Sequence, residues 1–178
     1  MFGFVKKLMF ARLFSFEEGK ITILGQSWVM SPSSIMLQLI RHIKISKNKK
    51  MLELLYKVSK ETGIEYMETL KKQTKNIDKL IEVGVNSLNL GGWGRVMVRD
   101  FDWKNKRGIV HFEDSTMGKL WLKRYGVSKE PVDYIMCGFV SGGLSIITNT
   151  DIDGIETKCI AMGSPRCEFV LNPSKSTK

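Results

Sequence analysis

The chain has 178 residues, 43% of them apolar, with three cysteines and a formal charge of +10. That length and composition fit one sizeable core in a single domain over residues 1–178 and exclude a repeat or low-complexity protein. No apolar run reaches the roughly 20 residues of a transmembrane helix, and an odd cysteine count argues against a disulfide framework and for a reducing cytoplasm.

In chain order, FGFVKKLMFARLFSF is apolar and basic but lacks the uninterrupted apolar stretch and small-residue cleavage site of a signal peptide. Phe2, Val5, Met9 and Leu13 fall on one helical face, which predicts a docking or dimer-facing helix over residues 1–11. Residues 12–30 read as a strand, a turn at Glu17–Lys20 and a second strand, ITILGQSWVM, before helix-start signals at Ser31, Pro32 and Ser33. Ile35, Leu39 and Ile43 mark a first helix, and Met51, Leu55 and Val58 a second. Met67, Leu70, Ile77, Leu80, Gly84 and Leu88 mark a long third, stopped by Gly91 and Gly92. GWGRVMVRDFDWKNKRGIVHFED alternates as two strands around Lys104–Lys106, and STMGKLWLKRYG forms a short amphipathic helix ended by Gly126.

From Pro131, read as the first residue of a helix, Val132, Ile135, Met136, Phe139, Val140, Leu144 and Ile147 make a continuous apolar stripe. On its other flank Gly138, Ser141 and Gly142 leave room for a neighbouring backbone or a ligand. A last hairpin turns at Gly163, Ser164 and Pro165, and residues 173–178 read as a flexible tail. The whole is an α+β fold, an antiparallel sheet packed against a layer of helices.

The positive charge is local. Residues 41–79 hold eleven basic against five acidic residues, including Arg41, Lys44, Lys60, Lys71 and Lys79 in an amphipathic, solvated pattern. Lysine outnumbers arginine there, and the chain has no zinc-finger spacing, RNA-binding aromatic motif or helix-turn-helix, which argues against nucleic-acid binding.

All three cysteines lie in the C-terminal run with two well-spaced carboxylates. A hairpin joining Cys159 to Cys167, with Glu156 three residues upstream, supplies the thiolates and carboxylate that a borderline-soft ion such as zinc prefers. The alternative is that the cysteines simply fill core space. A regular strand would place Glu156 and Cys159 on opposite faces, so the site requires a bulge near Thr157. Asp133 and Cys137, one helical turn apart, are both placed to complete a tetrahedral set.

PVDYIMCGFVSGG, followed by ETKCIAMGSPRC, resembles the 4-vinyl reductase domain family, and GWGRVMV and FEDS upstream look like that family too. The resemblance extends over roughly residues 10–172, its specific part being the last 40. It implies an α+β fold, a homodimer, an apolar ligand pocket and a structural zinc. The family serves as the sensor module of aromatic-responsive bacterial activators, occurs in proteins linked to bacteriochlorophyll synthesis, and is distantly related to Golgi transport-particle subunits. Carried across residue by residue, its metal ligands are Glu156, Cys159 and Cys167. Where zinc-binding members have a cysteine after the Pro-Val helix start, this chain has Asp133, with Cys137 as the alternative fourth ligand.

Four protein ligands leave no open coordination position, which marks such a metal as a clamp tying the last helix to the last hairpin. No glycine-rich dinucleotide fingerprint follows a strand, so the sequence supplies no hydride site despite the family's name. The expectation is therefore a sensor domain alone, without an attached ATPase or DNA-binding module. Its apolar pocket would draw on Trp93, Trp103, Phe112, Trp121, Tyr125, Tyr134 and Phe139 for a hydrophobic or aromatic small molecule. Such a domain would signal through its dimer or through a separate partner docked on the basic face of residues 41–79. The alternatives are an enzyme or accessory protein of tetrapyrrole or hydrocarbon metabolism and a basic nucleic-acid or protein scaffold.

Overall fold

The computed structural model describes Gly3 and residues 14–175. Apart from Gly3, the expected N-terminal helix lies outside them, as do residues 176–178. A small antiparallel sheet comes first, formed by β1 (Phe14–Glu17), β2 (Lys20–Ile23) and β3 (Gln26–Trp28). Three helices follow: α1 (Ser33–Ile45), α2 (Lys49–Gln73) and α3 (Ile77–Leu90). The hairpin β4 (Val96–Asp102) and β5 (Arg107–Phe112) leads to α4 (Thr116–Tyr125) and α5 (Tyr134–Thr148). The chain closes with β6 (Ile152–Lys158), a 3₁₀ turn at Ile160–Met162, and β7 (Cys167–Pro173). The second sheet is antiparallel throughout in the order β4-β5-β7-β6, so the architecture is α+β as expected.

Three local expectations are corrected. The strand read over residues 21–30 is two strands, because Leu24 and Gly25 both take positive φ (55° and 81°) in a two-residue hairpin turn. Leu24 is buried, and an apolar residue at a turn position hides the turn from hydropathy.

The second correction concerns the helices. No break separates Val58 from Met67; one 25-residue helix runs through both, and Gly63 inside it fits because its α-carbon faces the backbone of Phe139. The break comes at Thr74, whose backbone is extended, and Asn76 then caps α3 by accepting a bond from the Lys79 amide at 3.0 Å. Asn76→Ala should cost about 1 kcal/mol of stability, measurable by denaturant unfolding.

Third, α5 starts at Tyr134 rather than Pro131. Lys44 Nζ donates to the Pro131 carbonyl at 3.1 Å, and Glu156 Oε2 accepts from the Asp133 amide at 2.9 Å. Those two bonds hold residues 131–133 in a non-helical lead-in.

The main core lies between α5 and the second sheet, with Val110, Phe112, Val132, Ile152, Phe169 and Leu171 fully buried. A second cluster joins the small sheet to α2 and α3 through Ile21, Ile23, Leu24, Tyr66, Met67, Leu70 and Leu80. Phe139 and Ile147 of α5 pack against both clusters.

The small flank of α5 is filled by backbone. A Cβ on Gly138 would overlap the Tyr56 carbonyl oxygen, and one on Gly142 the Lys60 carbonyl oxygen, so α2 and α5 cross at nearly backbone-to-backbone distance. The edge strand β6 is capped from the helices, because the Ile152 amide donates to Ser145 Oγ and the Gly154 amide to Tyr56 Oη, both at 2.9 Å. At the opposite edge the Val96 amide donates to Asn89 Oδ1 at 2.9 Å.

The basic stretch is less uniform than its composition implies. Lys60 reaches Asp151 and Asp153, each at 2.7 Å, and Lys44 reaches Glu130 at 3.2 Å while lying over the rings of Trp121 and Tyr134. Lys47, Lys49, Lys50, Lys57, Lys72, Lys75 and Lys79 are exposed. Among the described residues no helix is long and apolar enough to cross a membrane.

Candidate functional site

The pairing of β6 with β7 slips between Glu156 and Lys158, leaving Thr157 as the bulged residue that the sequence requires. The slip lets Glu156 and Cys159 face the same interior. One ligand atom each from Glu156, Cys159 and Cys167 falls within 4.8 Å of the others, and all three residues are buried. The two sulfurs are 3.8 Å apart, and all three cysteines are free.

Asp133 stands beside this group. Its Oδ2 accepts from Cys167 Sγ at 3.5 Å and from the Ser115 hydroxyl. Ser115 in turn accepts from the Gly118 amide at 2.9 Å as the N-cap of α4. Two helix starts therefore converge on one carboxylate. Glu156 commits Oε2 to the Asp133 amide, while its buried Oε1 has no partner. Such an orphaned oxygen is costly unless it carries a proton or meets a cation.

Electrostatics show the strain of this arrangement. Burial, with Asp133 and Cys159 adding repulsion, pushes Glu156 up to about 10, and burial pushes Asp133 up to about 7. The bond from Cys167 lowers Cys159 to about 6, whereas donating that bond and being buried raise Cys167. Negative charge thus concentrates on one thiolate among proton-holding neighbours, and a divalent cation would relieve all four groups. The donor set of two sulfurs and carboxylate oxygens suits zinc.

Cys137 is placed differently. Its sulfur packs under Gly154, where an added Cβ would come within 3.0 Å of it, and burial followed by the Glu156 and Asp133 carboxylates raises its thiol. Among the described residues, the three-residue ligand group does not include it.

Two concave regions flank α5. An apolar cavity of about 50 Å³ lies among α2, α3, α5 and the second sheet, lined by Tyr66, Met67, Gly84, Val110, Phe139 and Leu144 with further aliphatic residues. A wider, mixed-polarity groove of about 710 Å³ runs between α2, residues 130–134 and β6, with Tyr56, Tyr134, Cys137 and Glu156 along it.

The seven aromatics singled out from the sequence are dispersed. Phe139 lines the cavity and Tyr134 the groove. Phe112 packs on Phe169 in the core, and Trp121 packs on Tyr125. Trp103 stacks on Phe101 while 45% exposed, and Trp93 lies against Gly91. The cavity residues that sequence reasoning missed are Tyr66 and Met67. Their signal was the buried stripe Ser59, Gly63, Tyr66, Met67 and Leu70 of α2, masked by assigning those positions to two helices. Of the histidines, His42 is exposed and His111 is buried, 3.4 Å from Glu168.

Comparison with known proteins adds the following. Residues 115–173 match the model of the 4-vinyl reductase domain, which bears out the resemblance to that family. The phenol regulator MopR of Acinetobacter guillouiae is 28% identical over 101 residues, which are 57% of this chain and 16% of MopR. The chain therefore corresponds to a small part of that regulator's length. Among solved structures, the phenol-responsive sensory domain of the transcription activator PoxR with phenol superposes with a TM-score of 0.77 at 21% identity. The match covers 92% of this chain and 86% of that one. A trafficking protein particle complex subunit 3 from Naegleria fowleri, covalently bound to palmitic acid, gives 0.54 at 12% identity, covering 80% and 95%. These likenesses show a shared fold.

Proposed function

We propose, taking the 4-vinyl reductase domain match over residues 115–173 as the premise, that this chain is a small-molecule-binding sensor domain with a structural zinc site. One observation carries the reading: α5 serves both sites. Its N-terminus begins at Asp133 beside Glu156, Cys159 and Cys167, and its body lines the apolar cavity through Phe139, Val140, Gly143, Leu144 and Ile147. The similarity to a phenol-responsive domain and a phenol regulator supports a hydrophobic or aromatic ligand.

In this reading Glu156, Cys159, Cys167 and Asp133 would hold the zinc. The ion would neutralise the buried thiolates and carboxylates and fix the β6–β7 hairpin against α5. A small molecule in the cavity presses on the same helix and so biases its position. The output is a dimer contact or a separate partner on the exposed lysines of α2 and α3, in a reducing compartment that keeps Cys159 and Cys167 as thiols.

Metal content per chain, measured by elemental mass spectrometry on protein purified without added metal, tests the site. One zinc in the wild type and in Cys137→Ser, and none in Cys159→Ser or Asp133→Ala, is expected. A well-folded wild type without metal would leave the cysteines as core residues and remove the zinc from the proposal. Retention of zinc by Asp133→Ala with its loss from Cys137→Ser would move the fourth ligand to Cys137.

A further inference from the structure

The cavity holds one unspent polar group. Tyr66 is 3% exposed and its hydroxyl has no hydrogen-bond partner. Ser87 stands beside it, but the Ser87 hydroxyl donates to the Val83 carbonyl at 2.8 Å. The ring is fixed on two sides, edge-on to Trp28 with centroids 6.3 Å apart and tilted on Phe139 at 5.6 Å, so the hydroxyl cannot swing out to water without breaking both contacts. Burial holds Tyr66 up at about 12, so at neutral pH it carries its proton and can donate it. The other lining residues are aliphatic or aromatic, apart from glycines, and none is charged.

The cavity is also partly filled. At about 50 Å³ it is well below the roughly 150 Å³ that admits a benzene ring in an engineered apolar core. The occupant is the end of Met67. Its Cε lies 3.2 Å from where a Cβ on Gly84 would sit and 3.5 Å from the corresponding point on Gly143, so the thioether tip lies between two glycines on facing helices. Methionine has three rotatable side-chain bonds and repacks readily. Two glycines leave open the space that it now takes.

We infer that this cavity takes a small, uncharged, largely apolar molecule with one hydrogen-bond acceptor, bonded by the Tyr66 hydroxyl, and that the Met67 side chain withdraws to admit it. Tyr66 sets which molecules are recognised and Met67 sets how large they are. An anion is excluded because the lining offers it no cation, and a molecule with no acceptor leaves the Tyr66 hydroxyl unpaired. The inference rests on the sensor reading, which requires the cavity to be the ligand site.

Calorimetric titration of phenol, toluene and benzoate into wild type, Tyr66→Phe and Met67→Ala tests it, with circular dichroism confirming that each variant is folded. Met67→Val serves as the milder change should Met67→Ala unfold. Wild type is expected to bind phenol more tightly than toluene and to reject benzoate. Tyr66→Phe should weaken phenol roughly fivefold to tenfold, the size of one neutral hydrogen bond, and leave toluene unchanged. The Met67 variant should tighten both neutral ligands.

An unchanged phenol-to-toluene ratio in Tyr66→Phe would overturn the anchor, and benzoate binding as tightly as phenol would overturn the ligand class. No gain in the Met67 variant would overturn its role in admission. If no folded variant binds any of the three, the sensor reading of the cavity itself fails, a result distinct from toluene binding that ignores Tyr66.

Discussion

Gly142→Ala is expected to destabilise the fold by about 3 kcal/mol, at the upper end of what overpacking a core costs, and to lower the melting temperature by roughly 6–12 °C for a domain of this size. The added methyl would meet the Lys60 carbonyl oxygen and crowd the amide of Ile64, both backbone atoms of α2. Backbone cannot rotate aside as a flexible side chain can, so the two helices must separate. The same movement strains Gly63 and Gly138, which approach Phe139 and Tyr56 in the same way. Gly143→Ala is the control, because a Cβ there meets only the Met67 tip at 3.5 Å, and its effect should be small or stabilising. Equal losses from the two substitutions, read from thermal unfolding, would show that helix propensity and not the crossing sets the tolerance of α5.

Zinc should stabilise the protein strongly at pH 7 and hardly at all at pH 5. Free ion at about 1,000 times the dissociation constant adds about 4 kcal/mol, or roughly 8–16 °C. Binding requires thiolates and carboxylates that protons occupy in acid. The metal-free protein runs the other way at this site. Glu156 and Asp133, raised to about 10 and about 7 mainly by burial, keep protons that the unfolded chain loses near pH 4. Their stabilising contribution is complete below about pH 4 and is lost as pH climbs toward those values. Above about pH 6 the ionised Cys159 offsets part of that loss, because its folded value of about 6 is depressed. Thermal melts in chelator, comparing wild type with Glu156→Gln at pH 4.5 and 6, should show the wild type losing ground as pH rises. A zinc effect of equal size at pH 5 and pH 7 would rule out a site built from protonatable sulfur and oxygen donors.

The order of elements and the metal cluster were legible in the sequence for identifiable reasons. Gly126 and the Ser115 cap bound α4 as expected, and the period mismatch between Glu156 and Cys159 demanded a bulge that the β6–β7 register shows at Thr157. What stayed hidden depends on contacts between distant segments. A buried Leu24 disguised a turn, and Gly63 looked like a helix break although its missing side chain is what lets α5 approach. Pro131 looked like a helix start, but the Lys44 and Glu156 bonds to residues 131–133 postpone it to Tyr134. The aromatic residues misled in a different manner. Composition can count rings but not direct them, so Phe112 and Trp121 went to core packing while Tyr66, inside an apparently charged helix, reached the cavity.

The hydroxyl and amide caps on β6 and β4 bear on self-assembly. An open sheet edge is the cheapest place for a second chain to add a strand. Here Tyr56 and Ser145 already occupy amides on one margin and Asn89 occupies an amide on the other, so continuing the sheet into a neighbouring molecule would first have to break these bonds. Pairing of two copies is thereby steered toward helix surfaces or the broad sheet face, and the route by which sheets propagate into fibrils is obstructed in the native state. Removing the Tyr56 hydroxyl would unblock the Gly154 amide, and slow aggregation of a still-folded protein would be its signature.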